Sequence, residues 1–210
     1  MYQICFIGID GSGKTTQAKL LHRTLNAQQN SAIYIHSFSR KTIAASMKIR
    51  SFINVLIKEL DKPTTNWLAA ITKVAFRLIV ILIDSWTTYS LYRIKYRGNV
   101  VILDRYYYCT LVSLASHHRI LASQIMIFSK IIPKPWITIL LKVTPETAIK
   151  RKPEHTYSEA REICNLYETL TRILPMTFVV DAEKDVEVIK QQVEELVHTC
   201  IKLKTHCKTI

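Results

Sequence analysis

Apolar residues in this chain fall into short runs that alternate with stretches of helical spacing. Residues 3–7 form a mostly apolar run that stops at Gly8, which reads as a buried strand. Residues 14–28 carry apolar or small side chains at Ala18, Leu21 and Leu25, the interval of a helix. Runs at 32–35, 100–103, 136–143 and 177–180 read as four more strands, and the run at 100–103 ends on Asp104. Residues 41–60 read as a helix broken by Asp61-Lys62-Pro63. Thr64, Thr65 and Asn66 can cap a long helix whose stripe is Trp67, Ile71, Val74, Leu78, Ile81 and Ser85, and Gly98-Asn99 stops it near Arg97. Further helices are expected at 107–130, from Thr144-Pro145-Glu146 onward, at 159–174 and at 186–203. Between the last three lies a short polar segment, 150–158, that contains Pro153.

Strands alternating with helices predict an α/β fold: five parallel strands in one sheet, helices on both faces, three layers in all. Continuously apolar strands agree, because a parallel sheet is buried on both sides. Ligands of such sheets bind at the carboxyl ends of strands, where both the segment from Gly8 to Lys14 and the pair Asp104-Arg105 fall.

With 210 residues and 49% hydrophobic content, the chain can bury one core, so a single domain over 1–210 is expected. The net charge of +13 favours an anionic partner such as a nucleotide, a nucleic acid or a membrane surface, although dispersed lysines also serve solubility alone. Cys5, Cys109, Cys164, Cys200 and Cys207 show no C-x-x-C pair or zinc spacing, which fits reduced thiols in the cytoplasm. The N-terminus enters a strand directly, so no signal peptide is expected. Charges and prolines interrupt the most apolar stretches, so no membrane association is expected either.

Gly8-Ile9-Asp10-Gly11-Ser12-Gly13-Lys14-Thr15 matches G-x-x-x-x-G-K-[ST] in full, between a strand and a helix. Its glycines let the backbone curl so that N–H groups point inward at phosphate oxygens, and the helix start near Lys14 adds its positive end. Lys14 should reach the β- and γ-phosphates, the Thr15 hydroxyl should ligate Mg²⁺, and Thr16 continues the cradle. Asp10 is a puzzle, because an acid there repels phosphate. Contact with a sugar hydroxyl, contact with a metal-bound water and a turn-capping role all stay open for it. Past the 100–103 strand, the Asp104 carboxylate can hold the metal shell and the Arg105 guanidinium can fork onto a phosphate.

With these residues the chain resembles the thymidylate kinase family of nucleoside monophosphate kinases. The resemblance rests on the loop from Ile7 through Thr16-Gln17, on Asp104-Arg105-Tyr106, on Leu141-Lys142-Val143-Thr144-Pro145-Glu146 with Arg151, and on Val180-Asp181-Ala182. It implies phosphoryl transfer from ATP, with Mg²⁺, to a nucleotide monophosphate, dTMP first among them. It implies that Asp10 contacts the acceptor sugar, and that Asp104, Arg105 and Tyr106 serve metal and acceptor. It also implies a second phosphate-gripping arginine, for which Arg77 is the candidate, with Phe76 beside it as a base-stacking candidate; a solvated face and the core are their alternatives. Ser12 occupies a loop position where the family can carry an arginine, so the lid at about 150–158 must supply one, with Arg151 first and Lys152 and Arg161 as substitutes. The resemblance favours a homodimer through the long third helix.

The acceptor side departs from the family pattern. Cys109 stands where a serine is usual, no Tyr-Gln pair follows, and Ser37-Phe38-Ser39-Arg40 replaces Arg-Glu-Pro-Gly-Gly, leaving Arg40 as an acceptor candidate. Two other readings therefore remain at this point. One is a P-loop kinase for a nucleoside or small phosphorylated metabolite. The other is a nucleotide-binding switch or ATPase, although no nucleic-acid motif is present.

Overall fold

The computed structural model describes residues 1–29, 31–36, 67–116 and 122–206. Five strands, β1 Tyr2–Ile7, β2 Ala32–His36, β3 Val100–Asp104, β4 Ile137–Lys142 and β5 Thr177–Asp181, form one parallel sheet in the order β2-β3-β1-β4-β5. The three inner strands are buried nearly throughout, and the edge strands β2 and β5 are part-exposed, as their positions dictate. Register sets Asp104 of β3 beside Phe6 of β1 on one side and beside His36 of β2 on the other. The phosphate loop, which leaves β1 after Ile7, therefore opens next to Asp104.

The helices are α1 Lys14–Ala27, α2 Trp67–Lys95, α3 Tyr107–Ser116, α4 Ala122–Ile131, α5 Pro145–Arg151, α6 Tyr157–Thr171 and α7 Val186–His206. The chain steps from β1 outward to β2 and from β4 outward to β5, in opposite directions along the sheet. Right-handed crossovers then put α1 and α6 on opposite faces. Helix α7 packs beside α1, and α3 and α4 pack beside α6, which completes three layers.

Two expectations need adjustment. The single helix expected over 107–130 is two helices, α3 and α4, that pack against each other. The Ser116 hydroxyl, at the end of α3, bonds back to the Ser113 carbonyl, the competition by which serine weakens a helix. The polar connection expected over 150–158 shrinks to 152–156. Thr144 caps α5, with Pro145 at its first turn, and α5 runs on to Arg151. A capping box between Thr156 and Glu159 starts α6 at Tyr157. The helix expected over 41–60 lies outside the described residues.

The predicted stripe of α2 is turned inward: Leu78 and Ser85 are buried, and Val74 and Ile81 pack on the core. The sequence pattern did not isolate a second stripe on the same helix. Ile79, Ile83, Trp86 and Ile94 are 52%, 58%, 51% and 78% exposed. Together the two stripes make residues 72–95, with mean hydropathy 1.4, long and apolar enough to cross a membrane by length and composition alone. About 22% of that stretch is buried, Leu78, Ser85, Thr88 and Tyr92 among it. Cys5, Cys109, Cys164 and Cys200 are free, and Cys207 lies outside the described residues.

Candidate active site

Two glycines allow the loop after β1 to sit where it does. Gly11 has φ +87°, and a Cβ there would lie 2.7 Å from the Ala148 carbonyl oxygen of α5. A Cβ on Gly8 would lie 2.7 Å from the Leu141 carbonyl oxygen of β4. The loop is thus wedged between the end of β4 and α5. Gly11→Ala is expected to weaken ATP binding at least about tenfold and to cost about 1–3 kcal/mol of stability. Nucleotide titration and denaturant melts check this, and wild-type values in both would contradict it.

Helix α1 opens on Gly13 with no side-chain cap and no acid in its first turn. Its positive end is left for an anion, with Thr15 and exposed Thr16 on the first turn. Lys14 is only 5% exposed; its Nζ donates to the Ile9 carbonyl at 2.6 Å and to Ser12 Oγ at 3.4 Å. Burial lowers the affinity of this ammonium for its proton, while Cys109 and Asp10 nearby work the other way.

Asp10 has a partner that none of the sequence alternatives named. Its Oδ1 accepts a short hydrogen bond from Arg105 Nη2 and lies 3.7 Å from Lys14 Nζ. Burial would raise the Asp10 carboxyl, but Lys14, Arg105 and Lys152 together hold it below its ordinary value. The acid is thereby neutralised, and it aims Arg105. The backbone contributes too: Arg105 sits at φ +86°, a left-handed conformation rare for a side-chain-bearing residue, and its N–H donates to the Phe6 carbonyl. Burial would weaken the guanidinium's hold on its proton, but Asp10, with Cys109 and Tyr167, more than offsets that. One Arg105 donor goes to Asp10, so others remain for a phosphate.

Asp104 is fully buried. Its Oδ2 accepts from the Thr15 hydroxyl at 2.7 Å, the Tyr34 hydroxyl at 3.0 Å and His36 Nδ1 at 2.6 Å. Its Oδ1 has no hydrogen-bond partner. Burial and the neighbouring carboxylate push the Tyr34 phenol up, so it stays a neutral donor. A hydroxyl and a carboxylate oxygen side by side, one oxygen atom orphaned, suit a hard divalent cation such as Mg²⁺.

Beside the loop lies an open cleft of about 400 Å³. Asp10 and Arg105 line it, with Cys109, Val112 and Ser113 of α3, Tyr167 of α6 and His155 of the 152–156 connection. Residues 6–198 match the sequence profile of the family described as Thymidylate kinase. The chain belongs to the thymidylate kinase family. Over 95% of its length it is 29% identical to the "Probable thymidylate kinase" of Sulfolobus acidocaldarius, of which the match covers 97%. Over 91% it is 27% identical to the "Probable thymidylate kinase 1" of Saccharolobus solfataricus, of which 94% is covered. A third relative, the "Probable thymidylate kinase" of Archaeoglobus fulgidus, is 33% identical over 51% of this chain and 57% of its own. This thymidylate kinase family member is accordingly a soluble kinase that uses ATP.

Not every predicted residue of the kinase reaches the cleft. Tyr106, expected at the acceptor, is instead 3% exposed; its hydroxyl bonds the Pro133 carbonyl and its ring packs on Tyr107 and Tyr108. A side chain that follows the turn at Arg105 points back under the sheet end, into the core. Phe76 and Arg77 are half-buried on α2 and do not line the cleft. Arg40 lies outside the described residues. Arg151 donates to the Ala182 carbonyl at 2.9 Å, beyond β5, whereas the Lys152 charge is felt at Asp10. Tyr34, His36, His155 and Tyr167 escaped the sequence reading. For Tyr34 and His36 a signal existed, since both stand at the carboxyl end of a parallel strand.

Proposed function

We propose that this kinase transfers the γ-phosphoryl group of ATP to dTMP, giving dTDP and ADP. The observation that carries the reading is the arrangement of Arg105. It is anchored on Asp10 at the mouth of the phosphate loop and lines a cleft that runs from Gly8, Ile9 and Asp10 of the loop to α3 and α6. An acceptor phosphate held there would sit next to a γ-phosphate held by Lys14 and the α1 N-terminus, the juxtaposition that direct transfer needs. Mg²⁺, held through Thr15 and Asp104, would neutralise charge on the ATP phosphates. Lys14 leaves the Ile9 carbonyl for the β- and γ-oxygens, and Arg105 keeps Asp10 with one donor while gripping the acceptor with others. Charge neutralisation and alignment supply most of the rate in such transfers.

The lid cation comes from the 151–152 junction. Arg151 needs to leave the Ala182 carbonyl to act there and Lys152 needs to leave Glu154, its ion-pair partner at 2.8 Å, but the Lys152 charge already acts on the loop acid, which favours Lys152 of the two. Closure of 152–156 would exclude water and favour transfer over hydrolysis. Free thiols at four described cysteines fit a cytoplasmic protein.

A second reading, another monophosphate or a nucleoside as acceptor, is favoured by one observation. Cys109, Val112 and Ser113 line the cleft where the family usually offers other polar groups. Coupled ADP release over a panel of monophosphates and nucleosides tests both. dTMP should give the highest specificity constant, and a nucleoside or another monophosphate in first place would replace the reading.

The outer stripe of α2 supports a homodimer. Ile79, Ile83 and Trp86, with Ile94 two turns further on, form an exposed apolar row on one helix, which a two-fold axis can pair with itself. Sedimentation should give a dimer for the wild type and a monomer for Ile83→Glu. A monomeric wild type, or a variant still dimeric, would contradict the pairing.

A further inference from the structure

We propose that Tyr34 and His36, at the end of β2, are positioning residues that orient Asp104 toward the divalent cation of the bound nucleotide. The inference rests on the assignment of Asp104 to that cation. Strand register puts His36 directly beside Asp104, and Tyr34, two residues earlier, shares its face of the sheet. Both reach the same atom: Oδ2 accepts from Tyr34 at 3.0 Å and from His36 at 2.6 Å. A carboxylate only accepts, so the hydrogen lies on His36 Nδ1.

The two oxygens of Asp104 are thereby made unequal. Oδ2 carries three donors, and Oδ1 is buried with none. Thr15 alone is a weak anchor, because its hydroxyl oxygen is the atom expected on the cation and moves when the cation arrives. The donors on β2 are carried by a strand paired to β3, not by the phosphate loop. With Oδ2 pinned from the strand side, the carboxylate cannot rotate about its last bond, and Oδ1 keeps one direction. Outer partners of this kind tune metal affinity about 10- to 100-fold in metal sites generally. A purely structural role, as glue for an edge strand, would lower stability without touching metal dependence.

The test is calorimetric binding of a non-hydrolysable ATP analogue, once with Mg²⁺ and once with EDTA. For the wild type, Mg²⁺ should tighten binding. Tyr34→Phe, which removes one hydroxyl, and His36→Ala should each cut that tightening about tenfold, with EDTA values unchanged. His36→Asn, which keeps an N–H near the Nδ1 position, should restore most of it. Unchanged tightening in both variants, equal losses with and without metal, or no recovery in His36→Asn would overturn the inference. Asp104→Asn separates the two levels. If it keeps the Mg²⁺ effect, the assignment of Asp104 itself fails. If it loses the effect while Tyr34→Phe and His36→Ala keep it, only the role of the β2 pair fails.

Discussion

Lys14→Ala is expected to lower turnover by at least about a thousandfold while the protein stays folded. The side chain is almost fully buried in the loop, with its ammonium bonded to the Ile9 carbonyl and Ser12. Its burial lowers its proton affinity, so the folded loop holds this charge at some cost in the absence of ligand. Loss of the charge therefore does little harm to stability. Its value is realised when it swings from the Ile9 carbonyl to the β- and γ-oxygens, where charge moves during transfer. Turnover falls far more than ATP affinity if that is so. Melting temperature and single-turnover rate are the measurements. A variant with turnover within about threefold of wild type would remove the phosphate loop from the chemistry.

Arg105→Ala is expected to lower the specificity constant for the acceptor by about a hundred- to a thousandfold and to leave the Michaelis constant for ATP nearly unchanged. Two effects add. The acceptor phosphate loses its fork of donors, and Asp10 loses the partner that neutralises it, so a carboxylate then faces the incoming phosphate. Arg105→Lys should recover little, because one ammonium cannot hold Asp10 and grip a phosphate at the same time. Steady-state kinetics with each substrate varied in turn read the split. A defect confined to ATP would contradict the role of Arg105.

The sheet was legible in the sequence because its strands are short, apolar and buried on both faces; the run at 100–103 could hardly be anything else. The phosphate loop was legible because its glycines, lysine and threonine act through one fixed local geometry. The partner of Asp10 was not, since Arg105 is far away in sequence and arrives only through the pairing of β1 with β3 and a left-handed turn. Tyr106 misled for the same reason: proximity to Arg105 in the chain does not survive that turn. Tyr34 read as an ordinary strand residue and His36 fell just past the expected strand, until register set both against Asp104. The lid bounds moved because a capping box competes with a loop, and Thr156 with Glu159 wins the first turn for α6. The outer stripe of α2 was hidden by the inner one, since both share the same period on one helix.

The central claim is that the chain moves a phosphoryl group from ATP onto dTMP and does not merely release it to water. The most direct measurement is a single-turnover reaction of the enzyme with [γ-³²P]ATP and Mg²⁺, with and without dTMP, followed by separation of labelled products. Nearly all label is expected in dTDP when dTMP is present, with only slow release of inorganic phosphate in its absence. Label that appears as inorganic phosphate at the same rate with and without dTMP would contradict it.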